Sequence, residues 1–464
     1  MNRLRVVKLS SRTLVGVILI MAMLGCTSTT EKLASAVPPT EEPGVSATPL
    51  PTQEAQPSAT ATPTRLPPTP TAEPEPVGIT AQGFGQDDRS LAYAFIVENP
   101  NMGLSIERSQ YQVGAYDAEG VVVDTDSGYV ELLLPGQTLG VVGTMYLDEG
   151  VTVARVEPQL NEGDAVASEG IPTFTVDSVS YHAGEYSSAA TGIVKSPYNA
   201  DISSVKVFAV AYNATGDIVG GGFTYLSFIL ANGTTGVEVA VTTSKDEEVA
   251  SVDLYLTLSG LSLLTSQGAM PAGTANLVLS KSGFGQQRRQ VAFGLLVENP
   301  NQGFSVEDTQ YHVTIYAEDG TVLGTEGGYI NVILPNQTLG VAGSVYLFEG
   351  MTASRVDVQL KAGTFKESDV LPVFTAENVV YHAGEYSSKV TGQVVSPYAS
   401  DITDVRVCAI AYDEAGRIVG GGLTYLDFVP ASGRAAVEVF VTAAGEPATV
   451  ELYPAMSALS EIKP

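Results

Sequence analysis

Histidine occurs at three positions only, His182, His312 and His382, and two of these sit in one repeated octapeptide. Tyr181-His182-Ala183-Gly184-Glu185-Tyr186-Ser187-Ser188 returns unchanged at 381–388. An imidazole that titrates near neutrality, a carboxylate and two aromatic faces on one short segment suit stacking on a sugar or anchoring a protein partner. Tyr181, His182, Glu185 and Tyr186, with Tyr381, His382, Glu385 and Tyr386, are therefore the candidate binding residues, on a loop between two strands. The competing reading is a loop whose tyrosines pack onto the edge of the sandwich or onto the preceding module. His312 aligns with Gln112, so no set of three or four zinc ligands gathers within one repeat, and neither a metal nor another cofactor is expected. Asp124-Thr125-Asp126-Ser127-Gly128 spaces carboxylates as a calcium loop does, but the closing Glu of an EF-hand is missing. Its copy, Gly324-Thr325-Glu326-Gly327-Gly328, has lost one carboxylate, and the segment is read as a solvated turn. A Ser-His-Asp arrangement can be drawn in any chain this rich in Ser and Asp and carries no weight. No residue is assigned a catalytic role.

The remaining reactive groups are two cysteines. Cys26 follows a basic stretch from Arg3 to Arg12 and the apolar run Leu14 to Leu24, about half the length that spans a bilayer. This order reads as an export signal over residues 1–25. Met23-Leu24-Gly25-Cys26 resembles a bacterial lipobox, with Met where Leu is more usual, and implies acylation of Cys26 and a lipid anchor in the membrane. Cys408 aligns with Phe208 and is expected to fill space in a strand. A net charge of −28 argues against nucleic acid and anionic lipid as partners, because such a surface repels phosphate.

Residues 26–77 form a Pro/Thr/Ala-rich stretch that cannot bury enough apolar surface to fold and is expected to be a disordered stalk. Beyond it the chain is duplicated at an offset of 200 residues: Val97-Glu98-Asn99-Pro100-Asn101 returns as Val297-Glu298-Asn299-Pro300-Asn301. Each copy is itself double, with Ile96 to Pro100 corresponding to Ile193 to Pro197 and Tyr116 to Tyr212. Four modules follow, at 78–160, 171–258, 276–360 and 371–458.

Each module carries a strand–turn–strand ending Tyr116-Asp117-Ala118-Glu119-Gly120, Tyr212-Asn213-Ala214-Thr215-Gly216, Tyr316-Ala317-Glu318-Asp319-Gly320 or Tyr412-Asp413-Glu414-Ala415-Gly416. Apolar alternation before the turn marks a half-buried strand, and the closing Gly is expected at positive φ. About seven short strands per module are expected, among them Val205–Tyr212 and Ile218–Tyr225, with Val205, Val207, Ala209 and Ala211 pointing inward; helical periodicity is lacking. The fold class is all-β, tandem β-sandwich modules after the stalk. Residues 259–275, rich in Gly, Ser and Thr, are expected to be a hinge between the two pairs.

The pattern beginning at Gly192-Ile193-Val194-Lys195 and Gly392-Gln393-Val394-Val395 and completed by the Tyr212 and Tyr412 hairpins resembles FxLYD domains, small immunoglobulin-like sandwiches of exported bacterial proteins. The name-giving Phe is replaced by Val113, Ala209, Val313 and Ala409, and Leu by Ala115, Ala211, Ile315 and Ala411, while Tyr is kept throughout. The resemblance implies the immunoglobulin-like fold and no catalytic residues. The expected role is non-catalytic: a lipid-anchored, extracellular or periplasmic protein for binding, adhesion or spacing, with a protein or glycan ligand. The alternatives are an envelope hydrolase or a solute-capturing lipoprotein with a site between modules.

Overall fold

The computed structural model describes residues 74–463 apart from 169, 170, 266–269, 386 and 461, so the expected export signal, Cys26 and nearly all of the expected stalk lie outside the described residues. Among the described residues every regular element is a strand.

The first module contains β1 (Gly78–Asp87), β2 (Ser90–Glu98), β3 (Leu104–Tyr116), β4 (Val122–Leu133), β5 (Thr138–Tyr146), β6 (Arg155–Asn161) and β7 (Asp164–Ala167). One sheet is β1-β2-β5 and the other β4-β3-β6, with β7 on the same strand β3. Leu91, Tyr93 and Phe95 from the first sheet meet Tyr111, Val113 and Val130 from the second in one core. The second module repeats this with β8 (Thr175–His182), β9 (Ser188–Lys195), β10 (Asp201–Tyr212), β11 (Ile218–Ile229), β12 (Thr234–Thr243) and β13 (Ser251–Thr265). The run expected at Ile218–Tyr225 extends to Ile229 as the single strand β11, and the module has six strands where about seven are expected. Val205, Val207, Ala209 and Ala211 are all fully buried in its core.

The third module contains β14 (Val278–Gln287), β15 (Gln290–Glu298), β16 (Phe304–Tyr316), β17 (Val322–Ile333), β18 (Thr338–Tyr346), β19 (Arg355–Lys361) and β20 (Thr364–Glu367). The fourth contains β21 (Thr375–His382), β22 (Ser388–Val395), β23 (Asp401–Tyr412), β24 (Ile418–Val429), β25 (Arg434–Ala443), β26 (Thr449–Met456) and β27 (Ile462–Lys463). Their sheets follow the same orders, β14-β15-β18 with β17-β16-β19, and β21-β22-β25 with β24-β23-β26.

All four turn glycines have positive φ, from 72° at Gly416 to 88° at Gly320. The residue after the tyrosine fixes the turn: Asn213 Oδ1 accepts from the amides of Thr215 at 3.0 Å and Asp217 at 2.9 Å, and Asp117 and Asp413 do the same in their modules. The supposed calcium loop is not a turn. Asp124 to Gly128 runs inside β4, and Asp126 accepts a 2.7 Å hydrogen bond from the Tyr93 hydroxyl. The aligned positions in the second module are Gly220, Gly221 and Gly222, where a Cβ on Gly222 would lie 1.8 Å from the Ala240 carbonyl oxygen. Their lack of side chains lets β11 and β12 pair at Gly220 and Gly221, so the two sheets of modules two and four join at a corner.

Modules pack through sheet faces, in the same sense each time. The outer face of β1-β2-β5 meets that of β11-β10-β13, with Phe208, Val210 and Ile218 entering the first module's core. Burial on both sides explains why β2 is apolar from Leu91 to Val97 instead of alternating. Likewise β14-β15-β18 meets β24-β23-β26, where Leu296, Ile410, Tyr412 and Ile418 cluster. Between these pairs the outer face of β8-β9-β12 meets β16 and β17.

The expected hinge is corrected at this joint. Residues 259–265 continue β13, paired to β10 through Asp201 and Thr265, and modules two and three are held by direct hydrogen bonds. The glycine and serine content that suggested flexibility does not prevent a strand where a neighbouring strand supplies backbone partners.

Candidate functional site

The Tyr-His-Ala-Gly-Glu-Tyr segments are not wholly loops. Tyr181 and His182 end β8, and Tyr381 and His382 end β21, leaving 183–187 and 383–387 as the connections. Alternation along the strand then separates the side chains. Tyr181 packs half-buried against its module's core and Tyr381 does the same, donating a 2.9 Å hydrogen bond to Ser388 Oγ.

His182 points the other way, into the joint with module three. Its Nε2 lies 2.9 Å from Thr191 Oγ1 and 3.3 Å from the Val322 carbonyl oxygen, and its ring stacks on Phe348 with centroids 5.7 Å apart. Burial pushes its pKa down, against the opposing pull of the Val322 carbonyl. His182 is therefore a contact between modules rather than part of a ligand site. His382 keeps the equivalent bond to Thr391 at 2.8 Å but is exposed. Of the remaining candidates, Glu185 and Glu385 are exposed, Tyr186 is 89% exposed, and Tyr386 lies outside the described residues. The segment thus divides: one tyrosine holds the sandwich, one histidine holds a neighbour, and Glu185 with Tyr186 is left to solvent.

A second feature escaped sequence reasoning. A cleft of about 340 Å³ opens between modules one and two, lined by Tyr129, Glu131, Leu139, Lys206, Phe208 and Tyr225 among others. The ammonium of Lys206 sits over the rings of Phe208, Phe223 and Tyr225 at 4.6, 4.5 and 5.7 Å, a cation–π arrangement. Burial lowers the Lys206 pKa, while the charge of Asp126 raises it. Such a cleft can hold a flat or apolar group and present one cation to an acid. The only hint in the sequence is the alternation Phe223, Tyr225 along β11, which reads equally as strand propensity. The other pair of modules differs there, with Arg406 and Cys408 in place of Lys206 and Phe208, and Arg406 Nη1 donates to the Tyr329 carbonyl oxygen at 3.3 Å. Cys408 is buried as expected, and burial pushes its thiol pKa up.

Among the described residues, no group of three or more His, Cys, Asp and Glu side chains is placed to hold a metal ion. No helix among them is long and apolar enough to cross a membrane. No family model matches the chain, and no curated protein is significantly similar to it. What the fold defines is a tandem array of β-sandwiches joined through their sheet faces.

Proposed function

We propose that this protein is a non-catalytic, lipid-anchored surface protein whose immunoglobulin-like, FxLYD-type modules act as a spacer that carries a binding element. The observation that carries the reading is the serial joint: each module lays its first sheet on the second sheet of the next, an arrangement that transmits position along the chain and commits the strands to packing. The lipobox at Cys26 supplies the anchor and the stalk the reach. Tyr186, 89% exposed on the connection between β8 and β9, is the residue that would engage a protein or glycan.

Two measurements test this. Cys26→Ser should leave the precursor unprocessed or release the protein from the membrane fraction; normal maturation with retention in membranes sinks the anchor. Tyr186→Ala should reduce binding in a glycan and protein array while leaving the thermal midpoint unchanged. Tyr181→Ala should instead lower stability by about 1–2 kcal/mol, since it removes a partly buried aromatic side chain. A second reading, capture of an amphipathic acid between modules, is favoured by the Lys206 cleft. Lys206→Gln would abolish such binding and leave the Tyr186 contacts intact.

A further inference from the structure

The joint between modules two and three leaves two unpaired halves at the ends of the stack. Module four repeats the face that module two uses, and module one repeats the face that module three uses. Neither is covered. Thr191 is fully buried and its copy Thr391 is not, while Val322 is fully buried and its copy Val122 is 50% exposed. Terminal faces of a stacked repeat protein are normally refashioned as polar caps, but these two faces keep the chemistry of the joint.

Four contacts of the joint carry across, while the bond from the Gly236 amide to Thr314 Oγ1 does not, since the copy of Thr314 is Gly114. In the joint, Thr191 Oγ1 donates to the Val322 carbonyl oxygen at 2.7 Å; Thr391 and the Val122 carbonyl remain. His312 Nε2 donates to the Gly236 carbonyl oxygen at 2.9 Å; its copy Gln112 also has an N–H to donate, to the carbonyl of Ala436. Glu238 accepts from the Thr325 amide at 3.1 Å, and Glu438 and Thr125 are both present. Gln359 donates to the Thr234 carbonyl oxygen, and Gln159 is kept.

Where residues differ, they differ in matched pairs. A Cβ on Gly236 would lie 2.2 Å from Thr314 Cγ2, so that contact pairs a missing side chain with a larger one. At the ends the sizes are exchanged: Ala436 has the Cβ and Gly114 lacks the side chain. The charges of the open faces differ from those of the joint: module one has Asp124 and Asp148 where module three has Gly324 and Phe348, and module four has Lys389 and Arg434 where module two has Ala189 and Thr234. Position 324 faces Glu238 in the joint, so Asp124 would stand beside Glu438, and Lys389, 2.7 Å from the Glu438 carboxylate, is the cation available between the two acids. The open face of module one also carries a recess of about 490 Å³, lined by Gln112, Thr125, Ser127 and Gln159 among others. In module three the copies of Gln112, Thr125 and Gln159 are the residues that hold β12.

We propose that a second copy of this chain is the partner of these faces, module four of one molecule docking on module one of the next as module two docks on module three. The interface is heterologous, since different faces meet, so association continues into open chains or closes into a ring. This goes beyond the spacer reading and does not depend on the lipid anchor.

The test uses the full chain carrying Cys26→Ser, in mild detergent, followed by sedimentation velocity over a concentration series. The parent should form a ladder of oligomers. Ala436→Arg blocks one face and Val122→Arg the other; both positions are exposed, so the thermal midpoint should hold, and Lys389→Glu and Gln112→Glu serve as replacements if it does not. Each variant alone should lose association, and an equimolar mixture should give a discrete dimer, since one intact copy of each face remains. A parent that stays monomeric to its solubility limit overturns the proposal. So does a single variant that associates like the parent, as it would if the N-terminal apolar run or a like-with-like contact were responsible. A mixture that fails to dimerise while the parent assembles overturns it too.

Discussion

The turn residues carry the most local information in the chain. Asn213 and Asp413 close their hairpins by accepting two backbone amides each, and Ala317, which has no such oxygen, is replaced in this role by Asp319, which accepts from Thr321 at 2.9 Å. The glycine that follows works through backbone angle alone. Gly216 has φ of 86° and nothing within 4 Å of an added Cβ, so a side chain there meets no neighbour and still strains its own backbone. Gly216→Val should destabilise the protein by about 1–2 kcal/mol, the cost of a side chain in the left-handed region. Denaturant unfolding of the parent and variant measures this, and an unchanged midpoint would remove the turn from the account.

At the scale of elements, faces matter more than strands. The joint between β8-β9-β12 and β16-β17 contains two histidines whose pKa values burial pushes down, His182 and His312, and two carboxyls it pushes up, Glu238 and Glu326. The two kinds act in opposite directions. A depressed histidine contributes stability that is complete above its ordinary value of 6.5 and is lost as pH falls from there through its folded-state value. A raised carboxyl favours the folded state as pH falls through its raised value toward 4.5. His312→Gln, the residue found at position 112, should remove the histidine's share and leave that of the carboxyls. Melting midpoints between about pH 7.5 and 5.5, a window set by the histidine range, should fall further for the parent than for the variant. Parallel curves would mean that His312 does not report on the joint.

For the whole molecule, the packing of one module through another makes stability a shared property. Phe208 belongs to the second module's strand β10 but sits in the first module's core beside Val142 and Leu139. Phe208→Ala should cost about 3–5 kcal/mol, in the range for a buried aromatic. The loss should appear in hydrogen exchange of both modules, including β2, which Phe208 does not adjoin in sequence. Exchange that accelerates in module two alone would show that the modules unfold independently. An isolated first module would expose the face that β10 and β11 cover, on a domain of a size that buries little surface by itself.

The sequence by itself determined the class of fold, the fourfold repeat, the inward set Val205, Val207, Ala209 and Ala211, and the positive φ of the turn glycines, because each follows from interactions between residues close in the chain. It failed where two distant segments meet. Period-two alternation names two faces of a strand and cannot say that the outer one is also covered, so Phe208 and Val210 gave no sign of joining a neighbouring core. For the same reason the sequence reads Asp124 to Gly128 as a turn and 259–265 as a hinge, although the first lies inside the paired strand β4 and the second continues β13 beside β10. The candidate site divided along this line as well. Tyr181, His182 and Tyr186 are adjacent in sequence, but only tertiary structure decides that one faces a core, one a neighbouring module and one solvent, because alternation at the end of β8 sends consecutive side chains to opposite faces and the next module covers only one of them.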